Sequence, residues 1–256
     1  MTDADATDAA IPAATLVTWR DPPAGTAGEP LILVVERSAS MAFAAGAIVF
    51  PGGRIDTEDR EFADALGRPG DAAKVTAIRE TIEESAVAAG LAGEVDPALG
   101  PILQQALIDK VPFAALLATN GLSLDLDALV PFARWMPAFT HARKFDTMFF
   151  LAPAPAGDWP PRPQPGECVA AEWASPGELI ARIDRGGASA IFPTKRNLER
   201  LAQHARYDAA LADAWAHRIE TIVPWIDEIG GQRHVCIPPD RGYPVTSEPL
   251  ATAFRT

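Results

Sequence analysis

Runs of aliphatic residues separated by turn-forming residues mark the N-terminal part of the chain. Residues 13–20 and 30–37 are rich in β-branched and aliphatic side chains, and residues 21–25, which contain Pro and Gly, divide them. A third aliphatic run, residues 46–50, stops at the Pro-Gly-Gly of residues 51–53. Such runs bounded by Pro and Gly are typical of strands. The pattern therefore predicts three strands, and a tight glycine turn after the third.

The rest of the chain alternates between helical and strand patterns. Residues 54–71 are polar and predict a loop, after which Asp71 can cap a helix that runs to about Ala89. Residues 92–134 carry helical patches without strand alternation, which predicts a helical insertion. The later predicted elements are strands at residues 144–151 and 168–173, helices at 176–184 and from about Thr194 to Ala216, and a hairpin around Gly230-Gly231.

Composition narrows the classes of partner that the chain can serve. Its 256 residues include 34 Asp+Glu and 22 Lys+Arg, which gives a formal charge of −12. Binding to a nucleic-acid backbone needs clustered Lys and Arg, so nucleic acid is not expected as the main partner. An apolar share of 48% is typical of a folded globular protein. The small, acidic residues 1–12 predict a disordered tail, which leaves residues 13–256 as a single domain.

The N-terminus and the cysteines predict where the protein resides. The first residues are acidic, which is the wrong sign for a secretory or mitochondrial leader. The longest nearly apolar stretch, residues 41–51, is far shorter than the roughly 20 residues that a membrane-spanning helix needs. Cys168 and Cys236 have no CxxC spacing or neighbouring histidines, so neither a zinc site nor a disulfide framework is indicated. We therefore expect a soluble, cytoplasmic protein without membrane contact.

The segment with the clearest chemistry is an acidic helix around residue 80. Glu80, Glu83 and Glu84 fall within an arc of about 100° on a helix, opposite the apolar side chains of the same segment. Like charges at these spacings cost roughly 0.2–0.5 kcal/mol per pair, whereas bound Mg²⁺ would make the same grouping favourable. Arg79 stands four residues before Glu83 and can orient its carboxylate. Acids on one helical face also occur on solvated surfaces, so both interpretations stay open on this pattern alone.

These residues, together with the glycine turn, resemble the box of the Nudix hydrolase family. The box runs Gly, five residues, Glu, seven residues, then Arg-Glu-apolar-any-Glu-Glu-any-Gly-apolar. The residues that match its second half are Arg79, Glu80, Glu83, Glu84 and Val87. Thr81 replaces an apolar residue, Ala86 replaces the glycine, and the interval from Gly53 to Arg79 is 12 residues longer than in the compact box. The extra residues fall in the predicted loop 54–71, and Asp71 is predicted to take the place of the upstream Glu.

The resemblance implies a fold and a reaction. The fold would be an α/β Nudix sandwich, with a mixed sheet between helices, the helical insertion 92–134 and a C-terminal helical extension. The reaction would be metal-dependent hydrolysis of a phosphoanhydride in a nucleoside-diphosphate-linked small molecule. The implied ligands of Mg²⁺ or Mn²⁺ are Glu80, Glu83, Glu84 and the backbone carbonyl of Gly53. Arg79 is implied in catalysis, and the candidates for the general base are Glu80 and Glu167.

Further segments resemble one branch of the family, related to the peroxisomal coenzyme A diphosphatase. They are residues 38–53, 133–137, 143–147 and 149–151, with Glu167 six residues before Trp173, and 192–194. Arg143, Lys144 and Phe145 are implied as substrate-binding residues. Ala42 stands where relatives that are specific for coenzyme A have an arginine.

Coenzyme A or an acyl derivative is the leading expected substrate. The alternatives are an ADP-ribose or dinucleotide pyrophosphatase and a Nudix-fold ligand-binding module without turnover. The resemblance also allows a homodimer.

Overall fold

The computed structural model describes residues 10–41, 44–137 and 144–253, which fold into strands and helices around one large sheet. The strands are β1 (Ile11–Arg20), β2 (Leu31–Arg37), β3 (Ile48–Val49), β4 (Gly52–Arg54), β5 (Val130–Trp135), β6 (Phe145–Pro153), β7 (Cys168–Ala174), β8 (Thr221–Ile222), β9 (Trp225–Ile229), β10 (Gln232–Cys236) and β11 (Ser247–Pro249). The helices are α1 (Thr57–Ala65), α2 (Ala72–Ser85), α3 (Gly100–Ile108), α4 (Phe113–Thr119), α5 (Pro176–Asp184), α6 (Phe192–Leu201), α7 (Tyr207–Ala216) and α8 (Leu250–Ala253).

Within the described ranges, the main sheet is mixed and contains eight strands. Its order is β3-β2-β1-β6-β5-β8, with β4 paired to β1 and β7 paired to β2. Strand β1 runs parallel to β6 along its whole length. On its other edge, β1 pairs with β4 at Ala13–Thr15 and with β2 only at Trp19 and Arg20. The sheet therefore divides along β1, and β4 occupies the place next to the N-terminal half of that strand.

Hydrophobic cores on both faces of the sheet make the molecule an α/β/α sandwich, which confirms the predicted fold class. Side chains of β1 alternate between the two cores, with Leu16 on one face and Val17 on the other. The Leu16 face packs against α2 through Ile78 and Ile82. The opposite face packs against α5, α6 and α7. Burial of each large aliphatic side chain contributes about 1.5–3 kcal/mol, so both helical layers are held mainly by apolar contact.

Several sequence-based boundaries were wrong. Residues 11 and 12, placed in the disordered tail, belong to β1, because Ile11 donates to the Lys144 carbonyl oxygen at 2.7 Å. Residues 54–71 contain α1 rather than only a loop. The glycines predicted as a turn lie on β4 and pair with β1. Residues 130–134, assigned to the helical insertion, form most of β5, whose apolar side chains fill the sheet core.

Helix α2 begins at Ala72 and ends at Ser85, four residues earlier than predicted. The reason for the end is Ala86, which takes the left-handed conformation at φ 60° and cannot continue the helix. The side chain of Asp71 does not cap α2; it pairs with Arg68 and Lys74 instead. The predicted apolar face of α2 packs into the core, where Val75 is fully buried.

The C-terminal part contains the predicted helices and also a small sheet. The predicted helix from Thr194 to Ala216 is divided into α6 and α7 by a turn. The predicted hairpin exists as β9 and β10, which pair antiparallel, and β11 adds a third strand. Helix α5 spans the predicted residues 176–184. Within the described ranges, no helix combines the length and the apolar composition that a bilayer crossing requires.

Candidate active site

The acidic helix α2 lies directly against strand β4. The backbone N–H of Gly52 donates to Glu84 Oε2 at 3.0 Å. A Cβ atom added to Gly53 would overlap the carboxylate of Glu80, and one added to Gly52 would lie 2.5 Å from the carbonyl oxygen of Ala14. Glycine is therefore required at Gly52, where a Cβ would meet backbone atoms, whereas a Cβ at Gly53 would displace the carboxylate of Glu80.

The glutamates of α2 are not on a solvated surface. Glu83 and Glu84 expose only 7% and 2% of their surface, and Glu80 is half-buried. Carboxylates are almost never buried without a partner, because desolvation of the charge is costly. The solvated-surface interpretation of the acidic pattern is therefore wrong.

A buried ion pair fixes Arg79 at the centre of this cluster. Asp59, on α1 and 2% exposed, accepts hydrogen bonds from Arg79 Nε at 2.8 Å and from Arg79 Nη2 at 2.9 Å. Arg79 Nη1 lies 2.9 Å from Glu80 Oε1 and 3.3 Å from Glu83 Oε2. Thr76 also donates to Asp59, at 2.8 Å. The two-pronged contact with Asp59 sets the plane of the guanidinium and thus the position of two glutamates.

The segment between α2 and β5 contributes side chains to Glu83. Lys110 Nζ, in the turn after α3, lies 3.0 Å from Glu83 Oε1. Gln104, on α3, donates to the Glu83 carbonyl oxygen at 3.0 Å and to the Arg162 carbonyl oxygen at 2.8 Å. Gln164 donates weakly to Glu83 Oε1 at 3.4 Å. The helical part of the predicted insertion is therefore attached to the acidic helix itself.

Burial changes the proton affinity of two of the glutamates. Loss of solvent raises the pKa of Glu80 to about 7, an increase that Arg79 reduces and Glu83 reinforces. Loss of solvent and then repulsion from Glu80 raise the pKa of Glu84 to about 8. Arg37, 3.4 Å from Glu84 Oε1, partly offsets this increase. The pKa values of Glu80 and Glu84 stay raised although Arg79 and Arg37 lie beside them. An additional cation would therefore stabilise the charged form of these carboxylates.

Comparison with solved structures finds the same fold in Nudix hydrolases. A Nudix hydrolase from Alicyclobacillus acidocaldarius matches with a TM-score of 0.65 at 29% identity, covering 80% of this chain and 96% of that chain. The chain shares this fold, and the match supports a Nudix hydrolase enzyme. An Ap4A hydrolase from C. elegans matches at 16% identity over 79% of this chain and 93% of that chain, with a TM-score of 0.37.

A third match is the Nudix domain of Shewanella oneidensis NrtR complexed with ADP ribose. It is 14% identical over 70% of this chain and 82% of that chain, with a TM-score of 0.38. This match and that to the Ap4A hydrolase are too remote to inform the function. No protein-family model and no curated protein matched the chain.

The Nudix box continues through Asp59 rather than Asp71, so the prediction for the upstream acid was wrong. Asp71 pairs with Arg68 and Lys74 at the start of α2, whereas Asp59 binds Arg79. Five residues separate Gly53 from Asp59, which is the spacing of the box. The spacing from Gly53 could have identified Asp59 from the sequence, but the box has Glu at this place and this chain has Asp. The 12 extra residues therefore lie between Asp59 and Arg79, where they complete α1 and the turn before α2.

Nudix hydrolases generally use divalent metals, and the donor chemistry here fits such an ion. Three carboxylates and a backbone carbonyl at Gly53 are hard oxygen ligands, the type that Mg²⁺ and Mn²⁺ prefer. Within the part of the chain that the structure describes, no three acidic, His or Cys side chains converge on one point. Arg79, Lys110 and Arg37 each hold one or two of the glutamates instead.

The other predicted site residues lie at varying distances from the glutamates. Glu167 is half-buried, and its charge raises the pKa of Glu84, which places it in the same electrostatic environment. Phe145 pairs with Ile11 at the start of β6, three residues along β1 from Ala14, the partner of Gly53. Lys144 directly precedes Phe145.

Two further predicted positions fall outside the described residues, and one aromatic belongs to the core. Arg143 and Ala42 are the two outside residues. Trp135, within the resembling residues 133–137, is buried in the core and donates to Tyr243.

Proposed function

We propose that this Nudix hydrolase cleaves the phosphoanhydride of a nucleoside-diphosphate-linked small molecule. Pyrophosphohydrolase activity in general is what the Nudix fold supports. The observation that carries the proposal is the burial of Glu83 and Glu84 beside the Gly52–Gly53 strand, with Arg79 fastened between the glutamates and Asp59. Three glutamates beside one strand, with a half-buried arginine between them and Asp59, are an arrangement for charge chemistry rather than for stability, because each acid costs desolvation energy.

The residues proposed to hold Mg²⁺ or Mn²⁺ are Glu80, Glu83, Glu84 and the carbonyl of Gly53. When bound, such an ion neutralises the diphosphate and lowers the pKa of a coordinated water molecule. Arg79 positions Glu80 and Glu83 through its contacts at 2.9 and 3.3 Å. Glu80 and Glu167 are the candidates to accept the proton of the attacking water. Arg143, Lys144 and Phe145 are proposed to bind the substrate.

Coenzyme A or an acyl-coenzyme A is the first substrate to test, because the segments outside the box resemble that branch. The assay is a panel of coenzyme A, acyl-coenzyme A, ADP-ribose, NADH and nucleotide sugars with Mg²⁺ or Mn²⁺. Coenzyme A cleavage at the anhydride releases 3′,5′-ADP. Consumption of ADP-ribose or a dinucleotide alone would transfer the assignment to the alternative substrates, and no cleavage of any compound would overturn the proposed activity.

Substitution of a glutamate tests the site itself. Glu83→Gln and Glu84→Gln should each lower turnover by orders of magnitude while the protein stays folded, because each removes a charged ligand and keeps the side-chain shape. Glu94→Gln, at an exposed position, is the matched control and should retain full turnover. Removal of metal with EDTA should abolish turnover, and added Mg²⁺ or Mn²⁺ should restore it. Undiminished rates in both glutamate variants would refute the assignment of these residues.

The compartment and the assembly follow as further proposals. Both cysteines are unpaired and buried, which supports the expectation of a reducing, cytoplasmic environment. Homodimer formation is proposed from the family resemblance, and sedimentation or light scattering of the purified chain would decide it.

A further inference from the structure

Lys110 occupies a backbone position that usually belongs to glycine. It follows the end of α3, where Val111 N donates to the Ala106 carbonyl oxygen and Lys110 N donates to the Leu107 carbonyl oxygen, both at 2.9 Å. This pair of hydrogen bonds is a Schellman motif, and Lys110 takes its left-handed position at φ 63°. Among the described non-glycine residues, only Ala44, Ala86 and Lys110 have positive φ.

The left-handed backbone conformation of Lys110 costs conformational energy. The left-handed region is disfavoured for residues with a Cβ atom, and glycine would relieve the strain at no loss of hydrogen bonding. Residues with strained backbone conformations cluster at active sites and ligand-binding sites. The strained residue here is also the one in its turn that contacts a glutamate of the acidic helix.

The turn that carries Lys110 is fixed relative to Glu83. Leu103 and Leu107 of α3 are buried in the same core as α2. Gln104 ties α3 to the carbonyl of Glu83 at 3.0 Å and is itself buried. The backbone of residue 110 therefore has a set distance from the acidic helix, and only the lysine stem can move.

The side chain of Lys110 combines exposure with a strong ionic contact. It is 79% exposed, yet its ammonium lies 3.0 Å from Glu83 Oε1. Like an ordinary lysine, Lys110 carries a positive charge at neutral pH. The ammonium therefore lies between the buried Glu83 carboxylate and solvent.

We propose that Lys110 binds the diphosphate of the substrate and competes with the divalent cation for Glu83. This inference rests on the proposed function. An ammonium on a flexible stem is a suitable phosphate ligand, and its contact with Glu83 neutralises that acid while no cation is bound. The α3 segment would then contribute to the site, because the turn after α3 places the Lys110 ammonium beside the glutamates although Lys110 lies outside the Nudix box.

The test compares Lys110→Gln with Arg218→Gln, which removes the same charge from an exposed position after α7. The binding probes are Mn²⁺ alone and the non-hydrolysable nucleoside diphosphate α,β-methylene-ADP in the presence of Mg²⁺, both by calorimetry. Lys110→Gln should weaken α,β-methylene-ADP binding by about tenfold or more. Its affinity for Mn²⁺ should be higher than that of the wild type, since the cation no longer competes with Lys110 for Glu83. Arg218→Gln should match the wild type in both measurements.

A second variant separates binding from folding. Lys110→Gly should unfold at the same or a higher urea concentration than the wild type, because it removes the left-handed strain, and should share the loss of analogue affinity. Unchanged analogue affinity in both Lys110 variants, or unchanged or weaker Mn²⁺ binding in them, would overturn the inference and leave Lys110 a structural partner of Glu83. Failure of the wild type to bind the analogue or to cleave any substrate would instead count against the proposed function.

Discussion

Substitution of Asp59 is the sharpest test of the arrangement at Arg79. The Asp59 carboxylate is 2% exposed and accepts two hydrogen bonds from Arg79 and one from Thr76, at 2.8–2.9 Å. Asparagine has nearly the same shape but no charge, and its amide N–H group would face the N–H and O–H donors of Arg79 and Thr76. Removing one partner of a buried ion pair typically costs about 3–5 kcal/mol. Arg79 retains Glu80 and Glu83, so we expect the Asp59→Asn variant to lose about 3 kcal/mol.

The matched control is Asp71→Asn. Asp71 is half-buried, and it pairs with Arg68 at 2.6 Å near the surface, where such pairs are worth about 0–1 kcal/mol. Urea denaturation of both variants measures the difference through the transition midpoint at constant slope. An Asp71→Asn variant that is as unstable as Asp59→Asn would refute the reasoning. Combining Asp59→Asn with Arg79→Gln should cost less than the sum of the single changes, because the two groups interact directly.

Two other predictions concern the glycines and a remote acid. Gly53→Ala should lower turnover with little loss of stability, since its Cβ displaces the flexible carboxylate of Glu80. Gly52→Ala should instead lower the urea midpoint, since its Cβ meets the backbone of Ala14. Equal urea midpoints for the two variants would contradict this. Burial raises the pKa of Glu199 to about 7 in the folded protein, above its unfolded value of about 4.3. The resulting stability is present below about pH 4 and is lost as the pH rises through about 7. Glu199→Gln should therefore gain stability relative to the wild type between about pH 5 and 8 in urea titrations, and a pH-independent difference would contradict this.

The sequence specified much of the local structure. Aliphatic runs predicted β1 and β2 to within two residues, and helix α5 at residues 176–184 is confirmed. Its failures are informative. Residues 126–133 were predicted to be helical, and the Leu and Ala residues among them favour helices, but residues 130–134 pair with strand β6 in the sheet, where Phe132 is buried. Propensity is a weak preference, and tertiary pairing overrides it.

The sequence by itself determined which residue types stand together on one helix. A fixed rotation per residue is enough to place Glu80, Glu83 and Glu84 on one face, with Arg79 beside them. The tertiary structure alone decided what those acids meet. Whether Asp59 or Asp71 reaches Arg79, and whether Lys110 reaches Glu83, depends on how α1 and α3 pack on α2. Contacts between separate elements follow from the packing of the whole core. The spacing from Gly53 to Asp59 indicates the first of these contacts, whereas no local spacing indicates the contact of Lys110 with Glu83.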